Sequence, residues 1–193
     1  KAYLSALKSN LAKELSPSDV DVVAQVFKLV EDKAFEQAID VTLKSQKNIP
    51  ELIYLLGFSY EKVEQFEQAE VYYLKAIVAG NNEALNNLGN LYADLEQLEQ
   101  AEVFYLKAIE AGNNDALISL GQINEQQEQF EKAEMYYSQA VEVEVTAGLN
   151  QLAWFYFEQG INISKGLSLA AKGYECHPCY ENTHTYASML LWA

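Results

Sequence analysis

The stretch EQAEVYYLKAI at residues 67–77 returns as EQAEVFYLKAI at residues 99–109 and, more diverged, as EKAEMYYSQAV at residues 131–141. The copies lie 32 residues apart, and Leu-Gly pairs keep the same interval, beginning at positions 56, 88 and 120. An interval of this length over three copies is typical of a chain built from stacked supersecondary units. The sequence therefore predicts a repeat protein rather than one globular core.

Each repeat carries two apolar series with helical spacing. Ile53, Leu56 and Tyr60 follow one another at three and four residues, which places their side chains on one face of an α-helix. A second series begins at Phe66, after the polar turn Glu64-Gln65. Each repeat is thus predicted to be a pair of helices joined by a short turn.

Glycine and asparagine separate one pair from the next. Gly80 and Gly112 stand where a helix would end in left-handed backbone, a conformation that glycine adopts without strain. Asn82 and Asn114 follow at positions suited to an N-cap. We therefore expect these asparagines to cap the next helix of each junction.

The pattern resembles the tetratricopeptide repeat family. The family signature of large residue, Leu, Gly, Tyr, Ala, aromatic residue and Ala is matched in the middle copy by Leu85, Leu88, Gly89, Tyr92, Ala101, Tyr105 and Ala108. The family's unit is about 34 residues and closes on a proline; these copies lack that proline, and their Ala-Gly-Asn-Asn junctions are similar to those of Sel1-like repeats. The resemblance implies an all-α, helix-turn-helix repeat solenoid, a right-handed superhelix of about five repeats.

Looser copies on both sides extend the array. Five repeats are predicted at residues 18–50, 51–80, 81–112, 113–144 and 145–178. An amphipathic flanking helix is expected within residues 1–17. Residues 179–193 are expected to form a capping helix or the first helix of an incomplete sixth repeat.

The charge is strongly negative and unevenly distributed. The formal net charge is -15, all 13 basic residues are lysine, and residues 51–144 hold 18 acids against four lysines. Nucleic acids and anionic membranes need clustered positive charge, so neither is an expected partner. Membrane insertion is not expected either, because no apolar run reaches the about 18 residues of a spanning helix. A cytoplasmic location is the default expectation, and a periplasmic or secreted one stays open if the N-terminus is processed.

The first helix of each repeat lines the concave groove in structures of this family, and the resemblance implies which residues do so here. The predicted groove residues are Tyr54, Phe58, Asn86, Asn90, Gln122, Asn150, Trp154 and Phe157. The predicted rim acids are Glu51, Glu61, Glu83, Asp94, Asp115 and Glu125. Amides can pair with an extended peptide backbone, aromatic rings can hold a side chain, and carboxylates favour lysine or arginine. The expected partner is therefore a basic protein segment, and the acidic chaperone tails that some family members clamp are disfavoured.

A second group of conspicuous residues is Cys176-His177-Pro178-Cys179, followed by His184. Three interpretations stay open: a buried structural cysteine at Cys176, a local disulfide, or a metal or redox site that uses Cys176, Cys179 and His184. The register favours the buried cysteine, and no metal or cofactor is expected. The sequence shows no catalytic constellation, so an enzyme is not expected.

The sequence thus favours a protein-interaction scaffold. The alternative is a fragment of a larger solenoid or a self-assembling structural subunit, since the apolar run Met189-Leu190-Leu191-Trp192 could form a homodimer through the C-terminal helix.

Overall fold

The computed structural model of the chain describes residues 15–143, 145, 147–176 and 180–192. The described residues form an all-α array of eleven helices. In chain order these are α1 Pro17–Glu31, α2 Phe35–Ser45, α3 Pro50–Lys62, α4 Phe66–Val78, α5 Glu83–Asp94, α6 Leu98–Glu110, α7 Ala116–Gln126, α8 Phe130–Glu142, α9 Gly148–Glu158, α10 Ile163–Cys176 and α11 Tyr180–Trp192. The predicted all-α helical-repeat fold is confirmed. Residues 1–14, which hold most of the predicted flanking helix, lie outside the described residues.

The described residues fall into two compact units that divide between Phe104 and Tyr105, within α6. In the first unit, each helix from α1 to α5 packs on the next one along the chain. In addition, α1 packs on α3, and α3 packs on α5. In the second unit α7 to α11 do the same, and α9 also contacts α11. Neighbouring helices therefore supply the packing in each unit, while the predicted repeat boundaries stay predictions.

The turn inside each pair closes in one recurring way. Gln97 N–H donates to the Tyr92 carbonyl at 2.8 Å and Glu96 N–H donates to the Ala93 carbonyl at 3.0 Å, which are the two hydrogen bonds of a Schellman motif. Glu96 takes left-handed backbone, with φ of 58°. Glu64 and Glu128 occupy the equivalent positions with φ of 60° and 58°. The turn is therefore set by hydrogen bonds in a place where glycine would be the less strained residue.

The junctions between pairs confirm one prediction and correct another. Gly80 and Gly112 end their helices in left-handed backbone, with φ of 95° and 91°, as predicted. Asn82 occupies the N-cap position of α5, as predicted, but its side chain makes no capping hydrogen bond; the expected cap at Asn114 is wrong, because Asp115 is the N-cap residue of α7. The residue directly after each glycine serves the junction instead, with Oδ1 of Asn81 accepting from Ala84 N–H and Oδ1 of Asn113 from Asp115 N–H.

Close contact between paired helices depends on a glycine facing a tyrosine ring. A Cβ on Gly57 would lie 2.8 Å from Cδ1 of Tyr73, and one on Gly121 would lie 2.3 Å from Cε1 of Tyr137. Both tyrosines are buried, and Tyr137 belongs to the core cluster of the second unit, with Ala133, Leu152, Phe155 and Tyr156. The repeated Leu-Gly pair thus makes room for the ring of the following helix.

Candidate functional site

In the first unit, the predicted groove residues lie on α3 and α5. The hydroxyl of Tyr54 accepts a hydrogen bond from Nδ2 of Asn87 at 2.8 Å, so α5 holds this ring in place. Phe58 meets Phe35 edge-on at 6.2 Å between centroids, and Lys62 Nζ lies 4.9 Å from the Phe58 centroid. Tyr54 is therefore held at its polar end, whereas Phe58 already has a cation over its ring.

Asn86 and Asn90 provide the amides of the first unit. The Oδ1 atom of Asn86 is buried and accepts no hydrogen bond from any described residue. Asn90, one turn further along α5, is half-buried. Since buried acceptors are nearly always paired in folded proteins, the Asn86 oxygen marks a position suited to an N–H donor.

In the second unit, the predicted groove residues lie on α7 and α9. The Oδ1 atom of Asn150 is also buried without a hydrogen-bond donor among the described residues. The ring of Trp154 lies 5.4 Å from that of Phe157 and 6.1 Å from that of His184 on α11. Gln122 is exposed on α7. Asn86 and Asn150 thus share the same property at positions 64 residues apart, which is two repeat intervals.

Two of the predicted rim acids bind tyrosine hydroxyls of the core. The Tyr73 hydroxyl donates to Oε2 of Glu61 at 2.7 Å, and the Tyr137 hydroxyl donates to Oε2 of Glu125 at 2.8 Å. Glu61 also forms an ion pair with Lys62. The other rim acids are more open to solvent: Glu51 is half-buried, and Glu83, Asp94 and Asp115 are exposed. Only part of the rim charge is therefore available to a ligand.

Sequence reasoning missed a second set of tyrosine–carboxylate bonds. The Tyr92 hydroxyl donates to Oε1 of Glu70, and the Tyr156 hydroxyl donates to Oε1 of Glu134, both at 2.6 Å. Tyr156 also accepts from Lys165 Nζ at 2.8 Å. The tyrosine–glutamate separations, 22 residues here and 12 in the pairs above, each occur twice and are the sequence signal for these bonds.

These environments keep the tyrosines protonated. Burial, and then the Glu70 carboxylate, raise the pKa of Tyr92 to about 12. Burial first, and the neighbouring carboxylate second, raise the pKa of Tyr73 and of Tyr137 well above the usual value. Each hydroxyl is thus a hydrogen-bond donor at neutral pH, which is what an ionised carboxylate needs as partner.

The cysteine–histidine group does not form a site within the described residues. Cys176 is a free thiol at the end of α10 and is exposed, so the prediction of a buried cysteine is wrong. Its helix ends there, and the side chain is left beyond the packed face. His177 and Cys179 lie outside the described residues, and His184 lies beside Trp154. Within the described ranges, no cluster of three potential metal ligands occurs.

The fold and the repeated helix pairs place the chain in the class of helical-repeat proteins. Residues 50–77, 83–113 and 115–144 each match the tetratricopeptide repeat. A comparison with curated proteins gives no match.

Solved structures share the fold at low identity. The structure reported for the functional characterisation of Pseudomonas aeruginosa pilF is 16% identical over 89% of this chain and 88% of that one, with a TM-score of 0.64. A thermophilic tetratricopeptide repeat protein of Thermus thermophilus, TTC0263, is 20% identical over 89% and 98%, with a TM-score of 0.68. In the APC/C hetero-tetramer Cut9-Hcn1, 14% identity extends over 98% of this chain but 39% of that chain, with a TM-score of 0.70. At such identities the likeness shows the fold alone.

Tetratricopeptide repeats at these positions suggest a protein–protein interaction scaffold. None of the helices that the structure describes has the length and apolar character needed to cross a membrane.

Proposed function

We propose that the chain binds an extended, basic segment of a partner protein along the first helices of its repeats. The observation that carries this proposal is the pair of unsatisfied amide oxygens on Asn86 and Asn150. A buried acceptor without a donor costs about 1–3 kcal/mol. Both side chains are half-buried, so a rotation that turns the amide towards the surface lets a backbone N–H of a ligand remove that cost.

The surrounding residues favour such a ligand. An extended segment offers backbone N–H donors along its length, so it can pair with a groove amide in either unit. Trp154 and Phe157 form an aromatic surface in the second unit. Residues 51–144 have 18 acids and four lysines, a balance that attracts basic segments and repels acidic ones.

The test is a peptide array of extended basic, neutral and acidic sequences, probed with the purified chain. We expect binding to the basic peptides, weakened about tenfold by Asn86→Ala with Asn150→Ala, because two buried hydrogen bonds are lost. A second variant, Asn90→Ala with Trp154→Ala, tests the remaining groove residues.

The matched control removes an amide from an exposed position on a second helix, Gln68→Ala. This variant should bind as the unmodified chain does. Binding that survives both groove variants unchanged would refute the proposal, and so would a preference for acidic peptides.

Self-association is the second candidate function, and one observation favours it. On α11, Met189 is buried in a cluster with Ala153 and Ala170, but Leu190 is 52% exposed and Leu191 is 91% exposed. Two adjacent leucines at the surface could form a homodimer contact through this helix. Light scattering of the chain tests this: a mass that falls from dimer to monomer on Leu191→Glu supports self-association, and a monomer at high concentration rules it out.

A further inference from the structure

The first unit contains a cavity of about 320 Å³ beside the predicted groove residues. Phe27 of α1 and Tyr54 of α3 contribute aromatic rings, and Glu51 and Glu83 contribute carboxylates. The junction from Gly80 to Asn82, together with Pro50, completes the lining. A volume at the lower end of the range of ligand pockets suits one side chain better than a whole small molecule.

The aromatic part of the lining is held in place. Both Phe27 and Tyr54 pack on the core cluster formed by Val23, Val26, Ala38, Ile49, Leu52 and Leu55. Asn87 holds the Tyr54 hydroxyl from the neighbouring helix. The cavity therefore has walls that do not have to be ordered when a ligand binds, which reduces the entropic cost of binding.

The charge around the cavity is negative. Residues 51–104 carry ten acids and two lysines, a net charge of -8. Both lysines lie over aromatic rings elsewhere, with Lys62 Nζ at 4.9 Å from the Phe58 centroid and Lys75 Nζ at 4.5 Å from the Tyr72 centroid. Among the described residues, no lysine lines the cavity.

The partial positive charge of the helix N-termini at the cavity does not outweigh the negative charge of its carboxylates. α3 and α5 both begin there, and each N-terminus contributes about half a positive charge. Pro50 has no N–H to offer an anion, and Ala84 N–H already donates to Asn81. The two full charges of Glu51 and Glu83 exceed the two half charges, so the cavity favours a cation.

We infer that this cavity is a subsite for a lysine or arginine side chain of the bound segment. The alkyl stem lies against Phe27 and Tyr54, and the charged head reaches Glu51 and Glu83. The inference rests on the proposed function, since it names the residue of the partner segment that the first unit recognises.

The test uses small probes and the whole chain, and needs no knowledge of the partner. N-acetyl-arginine-N-methylamide and its lysine counterpart are titrated while backbone amide resonances are followed by NMR. The citrulline analogue is the neutral control, because it keeps the shape of arginine without its charge. We expect saturable shifts at residues 51–54 and 80–84 with the arginine or lysine probe, and none with citrulline.

Two variants and one matched control test which residues bind the probe. Glu51→Gln with Glu83→Gln should weaken probe binding about tenfold, and Tyr54→Leu about threefold. The control, Glu67→Gln with Glu99→Gln, removes two exposed acids that also lie in first turns of helices, and should change the affinity by less than about twofold.

Equal weakening by both double variants would overturn the inference, because the acidic surface as a whole would then be responsible. Equal shifts with citrulline, or stronger binding of inorganic phosphate, would overturn it as well. These outcomes leave the array experiment with the Asn86 and Asn150 variants untouched, so the two proposals fail separately.

Discussion

Replacing Gly121 by alanine tests the close contact between α7 and α8. The new Cβ would lie 2.3, 2.5 and 2.7 Å from three carbons of the Tyr137 ring, whereas carbon atoms in contact are about 3.5–4.0 Å apart. The ring would have to move by about 1 Å within a packed cluster, and overpacking of this kind costs about 2–3 kcal/mol. Alanine is better than glycine in a helix by about 1 kcal/mol, which leaves a net loss of about 1–2 kcal/mol.

The assay is thermal and urea unfolding followed by circular dichroism. A net loss of this size lowers the Tm of a chain of 193 residues by about 2–8 °C. Tyr137→Leu provides the second arm of a double-mutant cycle, because it removes the ring that the Cβ would meet. In that background, Gly121→Ala should raise the free energy of unfolding by about 1 kcal/mol.

The decisive result is that Gly121→Ala lowers the free energy of unfolding when Tyr137 is present and raises it when Tyr137 is replaced by leucine. The coupling energy between the two substitutions should be about 2–3 kcal/mol. Gly57→Ala is the graded comparison, since its Cβ would lie 2.8 Å from Tyr73 and should cost less. A coupling energy under about 0.5 kcal/mol would refute the steric argument.

Three further predictions concern a titration, a turn and a thiol. The pKa of Tyr92 is raised to about 12, from about 10 in the unfolded chain. Its contribution to stability is therefore complete below about pH 10 and is lost as the pH rises to about 12. Alkaline unfolding should show this loss, and Tyr92→Phe should make the fall of stability with pH less steep. Glu96→Gly should raise the free energy of unfolding by about 0.5–1 kcal/mol by relieving left-handed backbone, whereas Glu99→Gly in the first turn of α6 should lower it, by up to about 1 kcal/mol, in the same urea titration. Cys176 should react with iodoacetamide in the folded chain, as mass spectrometry of the peptides will show; modification that needs denaturant would contradict its exposure.

The sequence predicted the helical repeat because several columns that carry packing recur at 32 residues. Gly57 and Gly121 stand where a ring of the next helix needs space, and Gly80 and Gly112 stand where the backbone turns left-handed. Close contact and left-handed backbone both favour glycine over other residues, and the repeat makes each requirement visible as a recurring glycine.

Predictions that depended on a one-residue register were less successful. The side-chain hydrogen bonds at the junctions come from Asn81 and Asn113, each one residue before the expected Asn82 and Asn114. Glu70 accepts a hydrogen bond from the hydroxyl of Tyr92, which lies on a different helix. The spacing along one helix cannot show such a partner.

The sequence predicted which positions belong to the candidate site, but not which side chains those residues contact. Family register selected Asn86 and Asn150, but only the packing around them shows that both amide oxygens lack a donor among the described residues. Register also selected Glu61 and Glu125, whose carboxylates accept tyrosine hydroxyls. The asparagines and the glutamates differ in the side chain that faces each of them, and that side chain belongs to a neighbouring helix.

The recurring turn at Glu64, Glu96 and Glu128 also has a consequence for how the chain folds. Its hydrogen bonds join residues at most five apart, and each helix pair then closes on a neighbour adjacent in sequence. Contacts with such short sequence separation carry a small loop-closure entropy, so folding can start at any one of these turns and extend in both directions. We therefore expect microsecond-to-millisecond kinetics with several parallel routes, in which slowing one turn diverts folding to another route instead of blocking it.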